Sequence, residues 1–558
     1  LRFLKKKYTN KKLHDYFDRV SKHVNEHIDN FLGEKAAQQN RPTMINLAGL
    51  TKKARSKDPF LIYRINVVVD NSELTRPPIV IETAPSYQNL FGTIEHIFEP
   101  GGIWKSDFTQ IKGGSILQAN GGYLVFNFLD ALTDMRVWTG LKRVLKNNQI
   151  IIQADQLPFA VATSAIKPEA IEVDLKVLVI GDYYTYQYLY EHDDEFRKIF
   201  KIRADFDTEM PNNHTAVKNY AGFISKICRD ENLLPLNRAG MAIVVEAGVN
   251  LAGRNSYIST RFSDIADIVR ESHYWAQQDG GEIITEKHVE QAIKARKERL
   301  QMSEEKLQRM ILDDILMIET SGKKIGQVNG IAVFDLGDYS FGKPSKITSE
   351  VGLGNSGIIN VEREAELGGK IYNKGVLIIS GYLNGKYAQN TPLTMNASIC
   401  FEQSYSGVDG DSASAAEIFT LLSSLAKLPL RQDIAVTGSV NQKGELQPIG
   451  GVNQKVTGVY QICKARGLTG KQGVMLPHQN VPDLMLDKEL IKSVKSGKFH
   501  IYAIKSVDEG IELLTGIPAG ERGKKGKYPA KTVHGMVQQR LRQFSEKMKN
   551  YESGGQST

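Results

Sequence analysis

The chain has 558 residues, 41% of them hydrophobic and 24% charged, with a formal net charge of +8. That length predicts three or four domains, each large enough for its own core, and the composition is ordinary and globular. No run of eighteen apolar residues and no signal-peptide pattern occurs, so the expectation is a cytoplasmic protein without a membrane span. Cys228, Cys400 and Cys463 lie far apart without metal-ligand spacing, which suits reduced, buried thiols.

In chain order, residues 1–59 read as a helical arm. The opening LRFLKKKYTNKKLH enters in mid-helix at Leu1, as a fragment would. Leu13, Tyr16, Phe17, Val20, Val24, Ile28 and Phe31 continue a helical stripe toward Gly33. Within it, His23-Val24-Asn25-Glu26-His27 spells the H-x-x-E-H order of certain zinc peptidases. With no third ligand evident and lysines all around, a solvated helical face is expected there, and no metal.

Residues 60–208 have an α/β texture. IYRINVVVD, PPIVIE, GGYLVFNFL, NNQIIIQ and VDLKVLVIGD read as strands, several unbroken enough to predict a sheet covered on both faces. Residues 101–114, with Trp104 and Phe108, look neither regular nor apolar. Residues 209–302 are helical by period: Phe262, Ile265, Ala266, Val269, His273 and Ala276 form one face, and ITEKHVEQAIKARKERL predicts another helix.

Residues 303–520 carry the chemistry. MNASICFEQ at 395–403 alternates like a strand with Ala397, Ile399 and Phe401 on one face. A Gly, Ser and Asp-rich turn follows, and then a helix whose buried side is Ala416, Phe419, Leu422, Leu425 and Ala426. Ser412 is thereby expected in the first helical turn, where free backbone N–H groups could hold an oxyanion. After Gly450-Gly451, Val452, Val456, Val459, Tyr460 and Cys463 recur at helical spacing, with Lys455 on the edge of their stripe. A serine hydroxyl needs a base to become a nucleophile, and a lysine amine can serve if burial keeps it neutral. Spacing alone leaves open a helix-start serine and a snorkelling surface lysine.

GDSASAAE, VTGSVNQKGELQPIGGVNQK and SYSGVDGD resemble the peptidase domain of Lon proteases, and the similarity runs from about Gly326 to about Gly516. The resemblance implies an α+β peptidase domain with Ser412 as nucleophile and Lys455 as general base. It also implies support from Thr437, as the threonine bonding the lysine amine, and from Asp409, at an acidic position beside the dyad that can hold an inactive conformation. Read by themselves, Thr437 is equally a strand residue and Asp409 a turn former.

NLFGTIEH, GGSILQANGGYLVF and STRFSDIADIVRES resemble the AAA+ ATPase module that precedes the peptidase in Lon proteins, with residues 209–302 as its lid. In that module an apolar strand ends in Asp-Glu, for magnesium and for activating water; here Asn127 and Phe128 stand in those places and can do neither. No phosphate loop is found, the nearest sequence being Gly467-Leu-Thr-Gly470-Lys471-Gln472. Arg197 and Arg261 resemble nucleotide-sensing arginines, or are ordinary surface arginines. Trp104 falls where ring ATPases grip a polypeptide, or fills a small satellite core.

Residues 521–558 form a basic tail with Arg522, Lys524, Lys525, Lys527, Lys531, Arg540, Arg542, Lys547 and Lys549. The charges are diluted along a helix without interleaved aromatics, favouring a solvated helix over a nucleic-acid surface. The sequence thus predicts a Lon-like serine endopeptidase acting on unfolded or loosely folded proteins, as a homo-hexamer, with a degenerate ATPase module. Peptide hydrolysis itself would need no cofactor, and ATP and magnesium are left open. Two alternatives stand beside it: an ATP-driven protease with its phosphate loop upstream of Leu1, and a non-catalytic holdase or DNA-binding scaffold.

Overall fold

The computed structural model describes residues 1–31, 60–99, 103–153, 166–390, 392–524 and 526–554. The chain divides into two compact units, Leu1–Asp205 and Phe206–Thr558.

In the first unit the arm is two helices, Arg2–Lys7 and Lys11–Glu26, not one continuous stripe. Asn10 interrupts it by capping: its side chain accepts from the Lys12 N–H at 2.9 Å, satisfying a donor that has no partner inside the helix. His23 and His27 stack with ring centroids 4.1 Å apart, and His23 Nδ1 lies 2.8 Å from the Tyr63 hydroxyl. The end of the predicted stripe at Gly33 lies outside the described residues.

The strands Ile79–Glu82, Tyr123–Asn127 and Lys176–Ile180 form a parallel sheet with Tyr123–Asn127 in the middle. Leu124 and Phe126 point into a core shared with Leu90, Phe91, Ile116 and Leu141. The opposite face corrects the two-sided covering expected from sequence: Ile79, Ile81, Leu178 and Ile180 stay exposed, and helix Met135–Asn147 buries Val137, Leu141 and Val144 in the covered core alone. Unbroken apolar runs made both faces look alike, because the period-2 alternation of a strand puts every second residue on each face. IYRINVVVD is also corrected, being a short 3-10 turn, Leu61–Tyr63, followed by irregular chain. NNQIIIQ contributes only Gln149–Ile150, paired with Ile171–Glu172. Residues 103–114 are more regular than expected. Ile97–Glu99 pairs with Ile103–Lys105, and Ile111–Lys112 pairs with Thr93–Ile94.

The second unit begins with helices His214–Asp230, Arg238–Ala252, Phe262–Gln278 and Glu286–Leu300, packed around Tyr220, Val244, Ile265, Val269 and Val289. A seven-stranded mixed sheet follows. Its order is Gly357–Asn360, Asn396–Phe401, Ser340–Gly352, Gln327–Asp335, Ile434–Val436, Gly473–Pro477 and His500–Ile504. The three middle pairings from Asn396–Phe401 to Ile434–Val436 change from antiparallel to parallel at Gln327–Asp335. Helices Lys370–Tyr387 and Ser414–Ala426 contribute to one apolar core, and helix Val452–Arg466 to another.

Helix Ser414–Ala426 is buried on every side through Leu425, as a central core helix must be. Part of its cover comes from the tail. Helix Val533–Gly554 sinks Val533, Val537, Leu541 and Phe544 into the same core, so the basic segment is not the solvated helix expected from its charge. The lysines and arginines had masked an apolar stripe at helical spacing. Buried His534 secures this helix, its Nδ1 2.6 Å from the Tyr387 hydroxyl and its Nε2 2.9 Å from Asp508.

Candidate active site

Ser412 lies in the turn just before helix Ser414–Ala426, two residues earlier than the first helical turn expected from sequence. The turn is fixed by short-range bonds: the Ser414 hydroxyl donates to the Asp411 carbonyl at 2.8 Å, and the Ser414 N–H to the same oxygen at 3.1 Å. It is also tied to the chain leaving strand Ile434–Val436. The Gly438 N–H donates to the Ser412 carbonyl at 2.7 Å, and the Ala415 N–H to the Gly438 carbonyl at 3.0 Å. Ser412 is half-buried.

Lys455 occupies the first turn of helix Val452–Arg466. Gly451 caps that helix at φ +66°, a left-handed conformation that glycine adopts without steric cost. Gly342 and Gly458 then let the helix rest directly on strand Ser340–Gly352, since a Cβ on Gly458 would come within 1.9 Å of the Gly342 carbonyl oxygen. The close approach drives Lys455 inward until it is 3% exposed, deeper than the stripe-edge position read from sequence. Its Nζ lies 2.8 Å from Ser412 Oγ and donates to Thr437 Oγ1 at 3.1 Å. The Thr437 hydroxyl in turn donates to the Ser412 carbonyl at 3.2 Å. Thr437 is wholly buried just beyond strand Ile434–Val436, held by its N–H to the Met475 carbonyl.

Burial brings the Lys455 amine down to about 8, because the ammonium form loses hydration in this apolar wall. The charge of Asp411 opposes that fall. Asp411 is itself engaged elsewhere: its Oδ2 accepts the Ser439 hydroxyl at 2.8 Å. Neither Asp411 nor Ser439 was singled out in the sequence, although Asp411 immediately precedes Ser412 and Ser439 is two residues after Thr437 in VTGSVNQKGELQPIGGVNQK.

Asp409 has a different place from the one the resemblance implied. Its Oδ1 accepts the backbone N–H groups of Ile371 at 3.0 Å, Tyr372 at 3.1 Å and Gly410 at 2.8 Å, and it makes no bond to Lys455. These donors hold its carboxyl below the usual carboxylate range. It therefore caps helix Lys370–Tyr387 from the nucleophile turn, close to the turn-former reading.

The nucleotide-related positions serve structure. Asn127 ends the central strand and caps the next helix, accepting from the Leu129 N–H at 2.9 Å. The Phe128 ring is buried edge-on to Trp138, with centroids 5.0 Å apart. No carboxylate stands at either position, so these residues do not fit a hydrolytic magnesium–nucleotide site. In the first unit, Arg197 donates to the Tyr190 carbonyl at 2.6 Å and lies over the Tyr190 ring. In the second, Arg261 is exposed at the start of helix Phe262–Gln278. Trp104 is on the strand Ile103–Lys105, and its side chain lies outside the described residues.

A cleft of about 900 Å³ in the second unit is lined by Arg254, Lys297, Tyr339, Gln454 and Asn480 but by neither Ser412 nor Lys455. No helix among the described residues is long and apolar enough to cross a membrane.

A mixed α/β domain thus brings a hydroxyl and a buried amine into contact. Comparison with known proteins places it further. Residues 75–207 match the family described as LonB-like, AAA domain; residues 235–299 the archaeal LonB AAA+ ATPase LID domain; and residues 398–515 the Lon protease (S16) C-terminal proteolytic domain. The chain is 30% identical over 489 residues to the putative Lon protease homolog of Escherichia coli, covering 86% of this chain and 79% of that protein. It is also 30% identical to the putative Lon protease homolog of Haemophilus influenzae, covering 78% and 72% of the two chains. Against the archaeal Lon protease of Archaeoglobus fulgidus the identity is 24%, with 82% and 70% covered. The chain belongs to the Lon protease family.

Proposed function

We propose that the chain is a serine endopeptidase that cuts unfolded or loosely folded proteins with Ser412 as nucleophile and Lys455 as general base, without hydrolysing ATP. The observation that carries the reading is the 2.8 Å approach of Lys455 Nζ to Ser412 Oγ in a wall that strips the amine of water. A neutral lysine amine has one lone pair. With an N–H given to Thr437, that lone pair is free to accept the Ser412 proton.

In the first half-reaction, Ser412 Oγ bonds to the peptide carbonyl carbon as its proton passes to Lys455 Nζ. The Ser412 backbone N–H has no partner among the described residues and is a donor available to the developing oxyanion. Collapse breaks the C–N bond, and the Lys455 ammonium returns the proton to the departing amine. The remaining ester is cleaved when the neutral amine takes a proton from water, and the hydroxide oxygen bonds to the acyl carbon. Ser412 then leaves with the proton back from Lys455.

Asn127 and Phe128 support independence from ATP hydrolysis, while the match of residues 75–207 to a AAA domain supports the rival, ATP-driven reading. The sixfold ring and the cytoplasmic setting belong to the same proposal. Digestion of unfolded casein with and without ATP and magnesium decides between them. Equal rates are expected in both conditions, and none with Ser412→Ala. Lys455→Arg should fall nearly to the same level, because a guanidinium stays charged and cannot accept the proton. Cleavage retained by Ser412→Ala would falsify the dyad, and digestion that requires ATP would favour the ATP-driven reading. Casein left intact by the wild type would favour a holdase.

A further inference from the structure

Beneath the nucleophile turn lies a buried polar cluster that the cleavage chemistry does not use. Glu417, in the first turns of helix Ser414–Ala426, and Glu362, in the short helix Val361–Glu364, are 1% and 3% exposed. Both converge on one hydroxyl. The Tyr372 hydroxyl lies 2.9 Å from Glu417 Oε1 and 3.3 Å from Glu362 Oε2. Asn360 donates to the Tyr372 oxygen at 2.5 Å and to Glu417 Oε1 at 3.4 Å, and the Phe401 N–H donates to Glu362 Oε1 at 2.7 Å.

No lysine or arginine reaches either carboxyl among the described residues. Neighbouring Arg363 pairs with Glu364 at 2.7 Å. From strand Asn396–Phe401 the only titratable neighbour is the Cys400 thiol, pushed up to about 11 by burial and by Glu362. Asp409 meets the backbone of Tyr372, not its hydroxyl. A tyrosine has a single proton to give, and burial raises the Glu417 carboxyl to about 7, so Glu417 keeps its own proton up to neutrality.

The position of Tyr372 gives this cluster its consequence. Its N–H holds Asp409, three residues before Ser412, and its hydroxyl holds Glu417, five residues after. The arm before Ser412 is fastened further by the Gly369 N–H to the Val408 carbonyl at 2.8 Å and the Val408 N–H to the Leu367 carbonyl at 2.9 Å. One residue, through its backbone N–H and its hydroxyl, therefore grips both arms of the turn that presents the nucleophile.

We propose that Glu417 is a positioning residue for Ser412: its carboxyl, bonded to the Tyr372 hydroxyl beside Glu362, completes a clamp that holds the nucleophile turn in register with Lys455. Loss of the Glu417 proton would put an uncompensated charge into this dry site and loosen the grip. Burial raises Glu417 to about 7, which puts that loss around neutrality.

The inference rests on the peptidase reading, and two measurements keep their failures apart. The first is the pH profile of kcat for cleavage of an unfolded substrate. Wild type should give a narrow bell, because the clamp loses its proton over the same range in which Lys455 becomes neutral; Glu417→Gln, the neutral mimic, should give a single rise. Glu417→Ala should lower kcat by about tenfold or more with little change in KM.

The second measurement needs no catalysis: the melting midpoint of the Ser412→Ala protein against pH. The folded carboxyl binds its proton more tightly than the unfolded one, so between 4.5 and about 7 stability falls as pH rises. Adding Glu417→Gln should flatten that slope. The same slope with and without Glu417→Gln, or a bell preserved in Glu417→Gln, overturns the clamp. Wild type that cuts nothing overturns the positioning role along with the peptidase reading, while the melting profile still reports the proton.

Discussion

Lys455 is the residue whose environment does the most. An amine brought from 10.5 to about 8 is a base near neutral pH, at a cost in folding free energy. The unfolded chain binds a proton between those values that the folded chain refuses, so stability rises with pH across that window and the full penalty applies below about 8. Lys455→Met should raise stability at pH 7 by on the order of 3 kcal/mol while abolishing cleavage, as chemical denaturation and casein digestion would show. In the Glu417→Gln protein, where the clamp no longer titrates, the acid limb of kcat/KM should have its midpoint near pH 8. Ser412 and Lys455 were legible because each follows glycines and opens an apolar helical stripe. Glu417 was equally on view as a lone acid within AAEIFTLLSSLA, but its partners Glu362 and Tyr372 are 55 and 45 residues away and only folding brings them together. The contacts of Asp409 were hidden for a related reason. Its proximity to Ser412 in sequence said nothing of the helix start that claims its carboxylate.

Among elements, the contact between helix Val452–Arg466 and strand Ser340–Gly352 sets the geometry of the dyad. Gly458→Ala inserts a methyl group where the Gly342 carbonyl lies, and the backbone has to move. A loss of about 1–3 kcal/mol is expected in thermal denaturation, with a larger proportional fall in cleavage because Lys455 travels with the helix. The C-terminal helix is the second such element. Its four buried apolar side chains are worth roughly 6–12 kcal/mol in all, comparable with the ~5–15 kcal/mol stability of a whole domain. Removing residues 533–558 should therefore leave the protein aggregated or unfolded, a result that solubility and circular dichroism would register. This helix was legible as a helix but not as core, since nine cations drew attention away from the i, i+4, i+8 spacing of Val533, Val537 and Leu541.

For the molecule as a whole, the helical segment from 214 to 300 and the peptidase segment followed the sequence closely. Long amphipathic periods and strand–turn–helix punctuation are local signals. The first unit did not, because a strand's apolar residues do not declare whether a second layer covers them. Its uncovered sheet face, with Ile79, Ile81 and Ile180 exposed, makes residues 1–205 a poor soluble module; expressed alone, that portion should aggregate in light scattering. If the proposed sixfold ring forms, light scattering coupled to size-exclusion chromatography should give about six times 62.2 kDa, unchanged by ATP and magnesium.

A dehydrated amine is also a chemical handle. Uncharged nitrogen, not ammonium, adds to aldehydes and acylating reagents, so at mildly alkaline pH Lys455 has a reactive fraction that hydrated surface lysines lack. A small aldehyde able to slip past Ser412, trapped by reduction as a secondary amine, would mark this position ahead of the hydrated surface lysines and read out by mass spectrometry whether the pocket is assembled.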